Sequence, residues 1–456
     1  MVDVPRVVVA GTHSGAGKTT VASGLMATLS AKGYRVAPFK VGPDFIDPSY
    51  HALAAARPGR NLDAFLSGPD LVAPLFAHGA YGADVAVIEG VMGLFDGKGG
   101  ELASTAHVAK LLDAPVLLVV DAGAMARSAA ALVHGYATFD PALSLAGVIL
   151  NRVGSPTHEA MLREAIEPLG IPVLGVLRRN PSISTPDRHL GLVPVAERRN
   201  EARGAVERVG EVVARGCDLG EILRLASSAG PLYTKAWTPE CTELESRTAR
   251  IAVAAGPAFS FAYEENLELL RGAGAETVVF DPTSDERLPK GTEALYLGGG
   301  FPETYAGALS ANELMRNEIH AFAESGRAVI AECGGLLYLC KDLDGKEMCG
   351  VLDARSRMTG RLSLGYREAC ALCDSSFARR GDAVRGHEFH YSAVEPRAGA
   401  APAWELSGRG QEGFVSGGVH ASYLHTYWVA TPQLPRRLVR GAIRARSRTP
   451  LTGARS

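Results

Sequence analysis

Two short stretches carry residue types that could do chemistry. The first is Gly15-Ala16-Gly17-Lys18-Thr19-Thr20, closing the run VVVAGTHSGAGKTT over residues 7–20. Glycines let backbone N–H groups turn toward phosphate oxygens, and a helix opening at Lys18 adds partial positive charge. Lys18 can reach β- and γ-phosphates, and the Thr19 hydroxyl can hold Mg²⁺. Counted from Gly11 the loop is G-x5-G-K-T, one residue longer than the usual G-x4-G-K-[ST] rule. A glycine-rich turn alone needs neither Lys nor Thr, so the combination reads as a nucleotide site. The second stretch is AECGG, residues 331–335. A cysteine flanked by glycine at a sharp strand-to-helix turn presents its sulfur as a nucleophile, and the helix N-terminus favours thiolate. A lone cysteine is otherwise a core residue. A thiol nucleophile needs a base. His387, His390, His420 and His425 follow Cys333, and His425, just past an expected strand over residues 419–424, is placed first. Gly298-Gly299-Gly300 offers backbone N–H groups to a developing oxyanion, with Gly299 and Gly300 the expected donors.

Further polar residues follow apolar runs. Asp44 and Asp47 lie in an expected loop over residues 41–51, beyond a strand over 36–40. Loop aspartates are often solvated turn formers, but ligands of open α/β sheets bind beyond strand C-termini. Glu89 ends the run 85–88, where a carboxylate suits Mg²⁺ beside a phosphate loop. Asp121 ends 116–120 and is a second candidate, or a helix cap. Asn151 ends 146–150, and either reads an adenine edge or is an ordinary strand-end residue.

The elements that would position these residues are short apolar strands alternating with helical patterns, an α/β architecture with a mostly parallel sheet. Strands are expected at 7–10, 36–40, 85–88, 116–120, 146–150 and 172–176, with residues 188–194 as a loop. A second set falls at 251–255, 277–280, 294–297 and 328–331. The expected organisation is a phosphate-loop domain over 1–195, a helical connecting segment over 196–247, a second α/β domain over 248–440 and a flexible basic tail over 441–456. The charged helix over 197–215 reads as a solvated face, and the boundary falls near 235–248.

The chain has 456 residues, 46% hydrophobic and 21% charged, enough for two or three cores. A net charge of −2 gives no reason to expect nucleic acid. No apolar run has membrane-spanning length, and the first leads straight into the glycine loop rather than a signal peptide, so a cytoplasmic location is expected. Seven cysteines, an odd number, argue against a disulfide framework. Cys370-Ala-Leu-Cys373 supplies two ligands where structural zinc needs four, and is read as ordinary strand.

These residues carry a resemblance. LGGGFPE (297–303), AECGG (331–335), GHEFHYS (386–392) and ASYLH (421–425) resemble class I glutamine amidotransferases of the cobyrinate-synthase type. The G-x5-G-K-T loop resembles the dethiobiotin synthetase-like group. Together with KVGPDFIDPSYH (40–51) and EGVMGLFDG (89–97), the chain resembles the cobyrinic or hydrogenobyrinic acid a,c-diamide synthase family. The resemblance implies glutamine-hydrolysing, ATP- and Mg²⁺-dependent amidation of the a and c carboxylates of a corrinoid acid in cobalamin biosynthesis; the sequence leaves the oligomeric state open, a homodimer being the assembly considered. By the same resemblance Thr19, Asp44 and Glu89 hold Mg²⁺ and Asp47 positions substrate or assists proton loss. Gly15, Gly17, Lys18, Thr19, Thr20 and Asn151 hold the nucleotide, and Cys333 and His425 release ammonia. Many class I amidotransferases place Glu two residues after the histidine. Here Thr426-Tyr427 follows, which leaves a Cys333–His425 dyad and no evident partner to orient the imidazole. Rival readings are a nickel-bearing tetrapyrrole as substrate, a partitioning-type ATPase, or a glutaminase-like or regulatory binding module.

Overall fold

The computed structural model describes residues 1–179, 187–188, 191–192, 194–239 and 248–448, with 187–188, 191–192 and 445–448 described by backbone alone. The chain divides into two units, Met1–Thr238 and Pro239–Ser456. No helix among the described residues is long and apolar enough to cross a membrane.

Unit 1 runs β1 (Arg6–Gly11), α1 (Lys18–Ala31), β2 (Val36–Val41), α2 (Ile46–Ala55), β3 (Arg60–Leu62), α3 (Val72–Gly79), β4 (Val85–Glu89) and α4 (Thr105–Leu111). It continues with β5 (Val116–Asp121), α5 (Ser128–Phe139), β6 (Leu145–Val153), α6 (Pro156–Ile166), β7 (Val173–Arg178), β8 (Asp187–Arg188), β9 (Gly191–Leu192), α7 (Arg199–Gly216) and α8 (Leu219–Ala226). One parallel sheet has the order β3-β2-β4-β1-β5-β6-β7. Its apolar strands are buried, as covering by helices on both faces requires. Strand order reverses about β1, so the loops after β1 and β4 open at the switch point where such sheets bind ligands.

Unit 1 departs from the sequence reading twice. Residues 41–51 are not all loop, because α2 begins at Ile46. Asp44 Oδ1 accepts from the backbone N–H of Ile46 (2.8 Å) and Asp47 (3.1 Å), and Pro48 falls in the first turn, where no N–H is needed. Nor are residues 196–247 a separate connector. α7 lies along α1, with Gly24 facing Val213 and Thr28 Oγ1 donating to the Gly210 carbonyl at 2.7 Å. Its charges occupy one side, while Ala202, Ala205, Val206, Val209 and Val213 are buried. Residues 240–247 of the expected boundary, and 189–190 and 193 of the expected loop, lie outside the described residues.

Unit 2 runs β10 (Ala249–Ala254), α9 (Glu264–Gly272), β11 (Ala275–Phe280), β12 (Ala294–Leu297), α10 (Ala306–Ala311), α11 (Glu313–Glu324), β13 (Ala328–Glu332), α12 (Gly334–Leu339), β14 (Asp342–Leu343) and β15 (Lys346–Glu347). There follow β16 (Arg355–Ala371), β17 (Ala383–Glu395), β18 (Trp404–Leu406), β19 (Gly410–Glu412), β20 (Phe414–Ser416), β21 (Val419–Ser422), β22 (His425–Thr426) and α13 (Gln433–Arg448). One sheet is ordered β11-β10-β12-β13-β21-β20, and a second contains β15-β14-β16-β17-β22, with β18 beside β16 and β19 beside β18. The expected strand over 419–424 breaks at Ser422. β21 stays in the first sheet beside β13, whereas β22 pairs with β17 in the second, His387 opposite His425. Cys370 lies on β16 and Cys373 beyond it. The basic tail is not flexible from 441: α13 continues to Arg448, with Leu438, Ala442 and Ile443 buried, and residues 449–456 lie outside the described residues.

Candidate active sites

In unit 1 the phosphate loop is shaped by Gly15 (φ 82°) and Gly17 (φ 105°), left-handed conformations that favour glycine. A Cβ at Gly17 would overlap the Asn151 amide. That amide donates from Nδ2 to the Ala16 carbonyl at 2.9 Å, while Oδ1 accepts from the Arg152 N–H at 2.9 Å. Asn151 therefore braces the loop in this structure. Lys18 bends back over the loop and donates from Nζ to the carbonyls of Met92 (2.5 Å) and His13 (3.2 Å). Burial, then repulsion from Lys40, lowers its pKa to about 8. Those two carbonyls hold the ammonium where a phosphate oxygen would replace them. Thr20 follows in the first turn of α1. Asp121 pairs with Arg152 and accepts the Gly123 N–H at 3.0 Å in a local turn; it caps no helix, since α5 begins at Ser128 without a side-chain cap.

Beneath the loop Thr19, Asp47 and Glu89 converge. Thr19 Oγ1 donates to Glu89 Oε1 at 2.6 Å and lies 3.5 Å from Asp47 Oδ2. Lys40, a residue the sequence reading did not single out, sits among them, 2.5 Å from Asp47 and 2.8 Å from Glu89. His51 Nε2 holds the other Glu89 oxygen at 2.6 Å. Burial opposes every charge here. Glu89 is nonetheless held below the usual carboxylate range by Lys40 and His51, and Lys40 is raised by Asp47 and Glu89. Asp47 is pushed up by burial and by its neighbours Asp44 and Glu89. Among the described residues no three His, Cys, Asp or Glu side chains form a metal cage by themselves. Mg²⁺ beside nucleotide is held by one or two carboxylates with phosphate and water oxygens. The hard-oxygen set of Thr19, Asp47 and Glu89, already gathered about a buried positive charge, fits that requirement. Asp44 stands beside this set: its Oδ1 caps α2 and so aims Asp47, and its charge acts on both Lys40 and Asp47.

In unit 2 Cys333 has φ 47° and ψ −97° between β13 and α12, the strained turn that the glycine flanks imply. A Cβ at Gly334 would lie 3.0 Å from Gly300 N, and one at Gly335 would overlap the Leu297 carbonyl. The turn is thus pressed against the 298–300 glycines. Sγ faces the Phe389 carbonyl of β17 at 4.0 Å. Burial, then Glu303, pushes the Cys333 thiol up, so the helix N-terminus does not by itself supply a thiolate. α12 has only six residues, and its field is outweighed.

His425 lies on the other side of the same glycines. A Cβ at Gly299 would come 3.1 Å from its Nδ1 and 3.3 Å from its Nε2. Its imidazole stacks on His387, centroids 4.9 Å apart and 16° between planes. Burial, then His387 and His390, holds it well below the ordinary histidine pKa, so the ring rests neutral and is a weaker base than a free imidazole. The Gly299 N–H is spent on the Phe261 carbonyl at 3.1 Å, which corrects its expected role as oxyanion donor. Gly300 N–H, beside Gly334, keeps that role open. Gly299 supplies the space for the imidazole instead. His420 is buried on β21 with Nδ1 3.1 Å from Ser375 Oγ, and His390 Nδ1 lies 2.9 Å from the Ser392 carbonyl.

Two buried glutamates flank the His425 segment. Glu332 Oε1 accepts from Thr426 N (3.1 Å) and Oγ1 (2.5 Å), and Oε2 accepts from the Tyr296 hydroxyl (2.9 Å). Glu412 accepts from Ser422 Oγ and Tyr423 N, each at 2.7 Å. Burial lifts both carboxyls to about 7. Glu332 lies inside the AECGG stretch singled out for its cysteine, but nothing in the sequence links it to Thr426, and Glu412 lies in none of the motifs.

Residues 7–193 match the CobQ/CobB/MinD/ParA nucleotide binding domain, and residues 250–432 match the CobB/CobQ-like glutamine amidotransferase domain. The chain is 56% identical over 471 aligned positions to the hydrogenobyrinate a,c-diamide synthase of Streptomyces coelicolor, covering 96% of this chain and 97% of that protein. It is 52% identical over 448 positions to the protein of the same name from Mycobacterium tuberculosis H37Rv, covering 96% and 97%. It is 45% identical over 452 positions to the cobyrinate a,c-diamide synthase of Syntrophotalea carbinolica, covering 95% and 98%.

Proposed function

The chain belongs to the hydrogenobyrinate/cobyrinate a,c-diamide synthase family, and from that premise we propose a division of its chemistry between the two sites. It is a glutamine-hydrolysing carbon–nitrogen ligase of cobalamin biosynthesis that amidates the a and c carboxylates of a corrinoid acid. Relatives named for hydrogenobyrinate share 52–56% of residues with it and those named for cobyrinate 41–45%, which favours the metal-free ring as acceptor.

A carboxylate is a poor electrophile toward ammonia. In unit 1 its oxygen attacks the γ-phosphorus of ATP and ADP leaves, giving an acyl phosphate. Lys18 and the loop N–H groups hold the phosphates through this transfer. Thr19, Glu89 and Asp47 would hold Mg²⁺, which supplies charge neutralisation on the transferring group. Ammonia then attacks the acyl carbon, phosphate departs and a proton is lost. In unit 2 the Cys333 proton passes to His425 as sulfur attacks the glutamine amide carbon. Gly300 N–H faces the oxyanion, His425 returns the proton to departing ammonia, and water releases glutamate from the thioester.

The observation that carries this reading is Cys333 at a strained elbow, with the neutral His425 imidazole against the same glycines. The test is purified protein with ATP, Mg²⁺, glutamine and either hydrogenobyrinic or cobyrinic acid, followed by mass. Two successive amidations are expected, faster with the metal-free acid. ATP-dependent product from neither acid overturns the reading.

A further inference from the structure

Resting on that reading, we propose that Glu332 is a positioning residue for glutamine hydrolysis: its carboxylate ties the segment carrying His425 to the elbow carrying Cys333. Glu332 immediately precedes the nucleophile in the chain. Its Oε1 takes both hydrogen bonds of Thr426, which immediately follows the base. Nucleophile and base are thus each one residue from a single carboxylate. Tyr296 on β12 holds the second oxygen at 2.9 Å, so the carboxylate cannot swing. Thr426 Oγ1 accepts from Trp428 Nε1 at 2.7 Å, and Asn266 takes the Thr426 carbonyl (2.8 Å) and the Trp428 N–H (2.9 Å), closing the network.

The tie is needed because β21 and β22 lie in different sheets. Between them only Tyr423 and Leu424 connect the strand beside the elbow to the strand bearing the imidazole. Glu412 fixes the start of that crossing through Ser422 and Tyr423, and the Ser422 carbonyl in turn accepts the Cys333 N–H at 2.8 Å. Glu332 fixes its end. The sequence lacks the glutamate two positions after His425 that would touch the ring, and here a carboxylate acts on the backbone beside the histidine instead. Such an arrangement sets where the ring stands without touching substrate.

The test is a double-mutant cycle on glutamate release, with E332A, H425A and the pair. E332A is expected to lose on the order of 10²-fold in kcat, a misplacement-sized effect. Added to H425A it costs less than about 3-fold, because it acts only through the imidazole. E332Q keeps an acceptor for Thr426 and restores turnover to within about 5-fold of the parent. Circular dichroism and the thermal melt report that unit 2 of each variant is folded, and ATP-dependent amidation from ammonium reports that unit 1 is unaffected. If E332A does not fold, T426V, which removes one donor and no carboxylate, enters the same cycle. Full loss of E332A on top of H425A, or unaltered kcat in E332A or T426V, overturns the proposal. The parent reading fails separately, by C333A releasing glutamate as fast as the unaltered chain.

Discussion

Lys40 is the counter-ion of unit 1. Its ammonium lies between Asp47 and Glu89 with its side chain 5% exposed, and its third contact is the Gly90 carbonyl at 3.3 Å. Removing one partner of a buried pair leaves uncompensated charge and costs about 3–5 kcal/mol. K40M would leave two buried carboxylates facing each other. Asp47, already pushed up, would take a proton to relieve the repulsion. A divalent cation at Thr19, Asp47 and Glu89 would supply the missing charge. K40M is therefore expected to melt lower in Mg²⁺-free buffer, by on the order of 10 °C, and to regain more of that loss on adding Mg²⁺ than the unaltered chain gains. Equal Mg²⁺ responses in differential scanning fluorimetry would refute the placement of the cation.

At the scale of elements, the glycine turn after β12 decides where two other elements stop. Gly299 lacks the positive φ that would exclude alanine, and a methyl group there would first meet the His425 imidazole. G299A is expected to displace the ring and lower glutamine turnover by about 10²-fold. Its thermal stability and ammonium-supported amidation should change little. Wild-type glutamine turnover in G299A would show that the ring does not work from this position. The same turn shows what was legible beforehand. Buried strands are continuous apolar runs, so β1, β2, β4, β5 and β12 fell within about two residues of expectation, and Gly-Lys-Thr and the glycine-flanked Cys333 named their own turns. The β16–β17 hairpin was not legible, because Arg355–Ala371 alternates buried and exposed residues among many charges. α2 was hidden by its Pro48, and α7 by charges that mask an alanine- and valine-lined stripe. Lys40, Glu332 and Glu412 escaped for another reason. Tertiary folding brings Glu89 to Lys40, Thr426 to Glu332 and Ser422 and Tyr423 to Glu412, at separations of 49, 94 and 10–11 residues, while Asp47 reaches Lys40 from 7 residues away through α2.

For the molecule as a whole, nitrogen release and acid activation are assigned to different units, so lesions in each should sort by nitrogen source. Cys333 lies in Pro239–Ser456 and Lys18 in Met1–Thr238. C333A removes the sulfur at the elbow, and glutamine-dependent amidation should fall to background while ammonium-dependent amidation persists. That remaining rate should climb with pH, because neutral ammonia is the nucleophile and is a minor species near neutrality. K18A removes the charge that meets the transferring phosphate, and should abolish product from either source while glutamate release survives. The two defects are complementary, so a mixture of the two purified variants measures how ammonia reaches the acid. Product formed from glutamine in that mixture, suppressed by an added ammonia scavenger, means transfer through bulk solvent. If the scavenger has little effect on the unaltered chain, ammonia passes from one reaction to the other without entering bulk solvent. Loss of both nitrogen sources in C333A, with its fold intact by circular dichroism, would contradict the assignment of separate tasks to the two units.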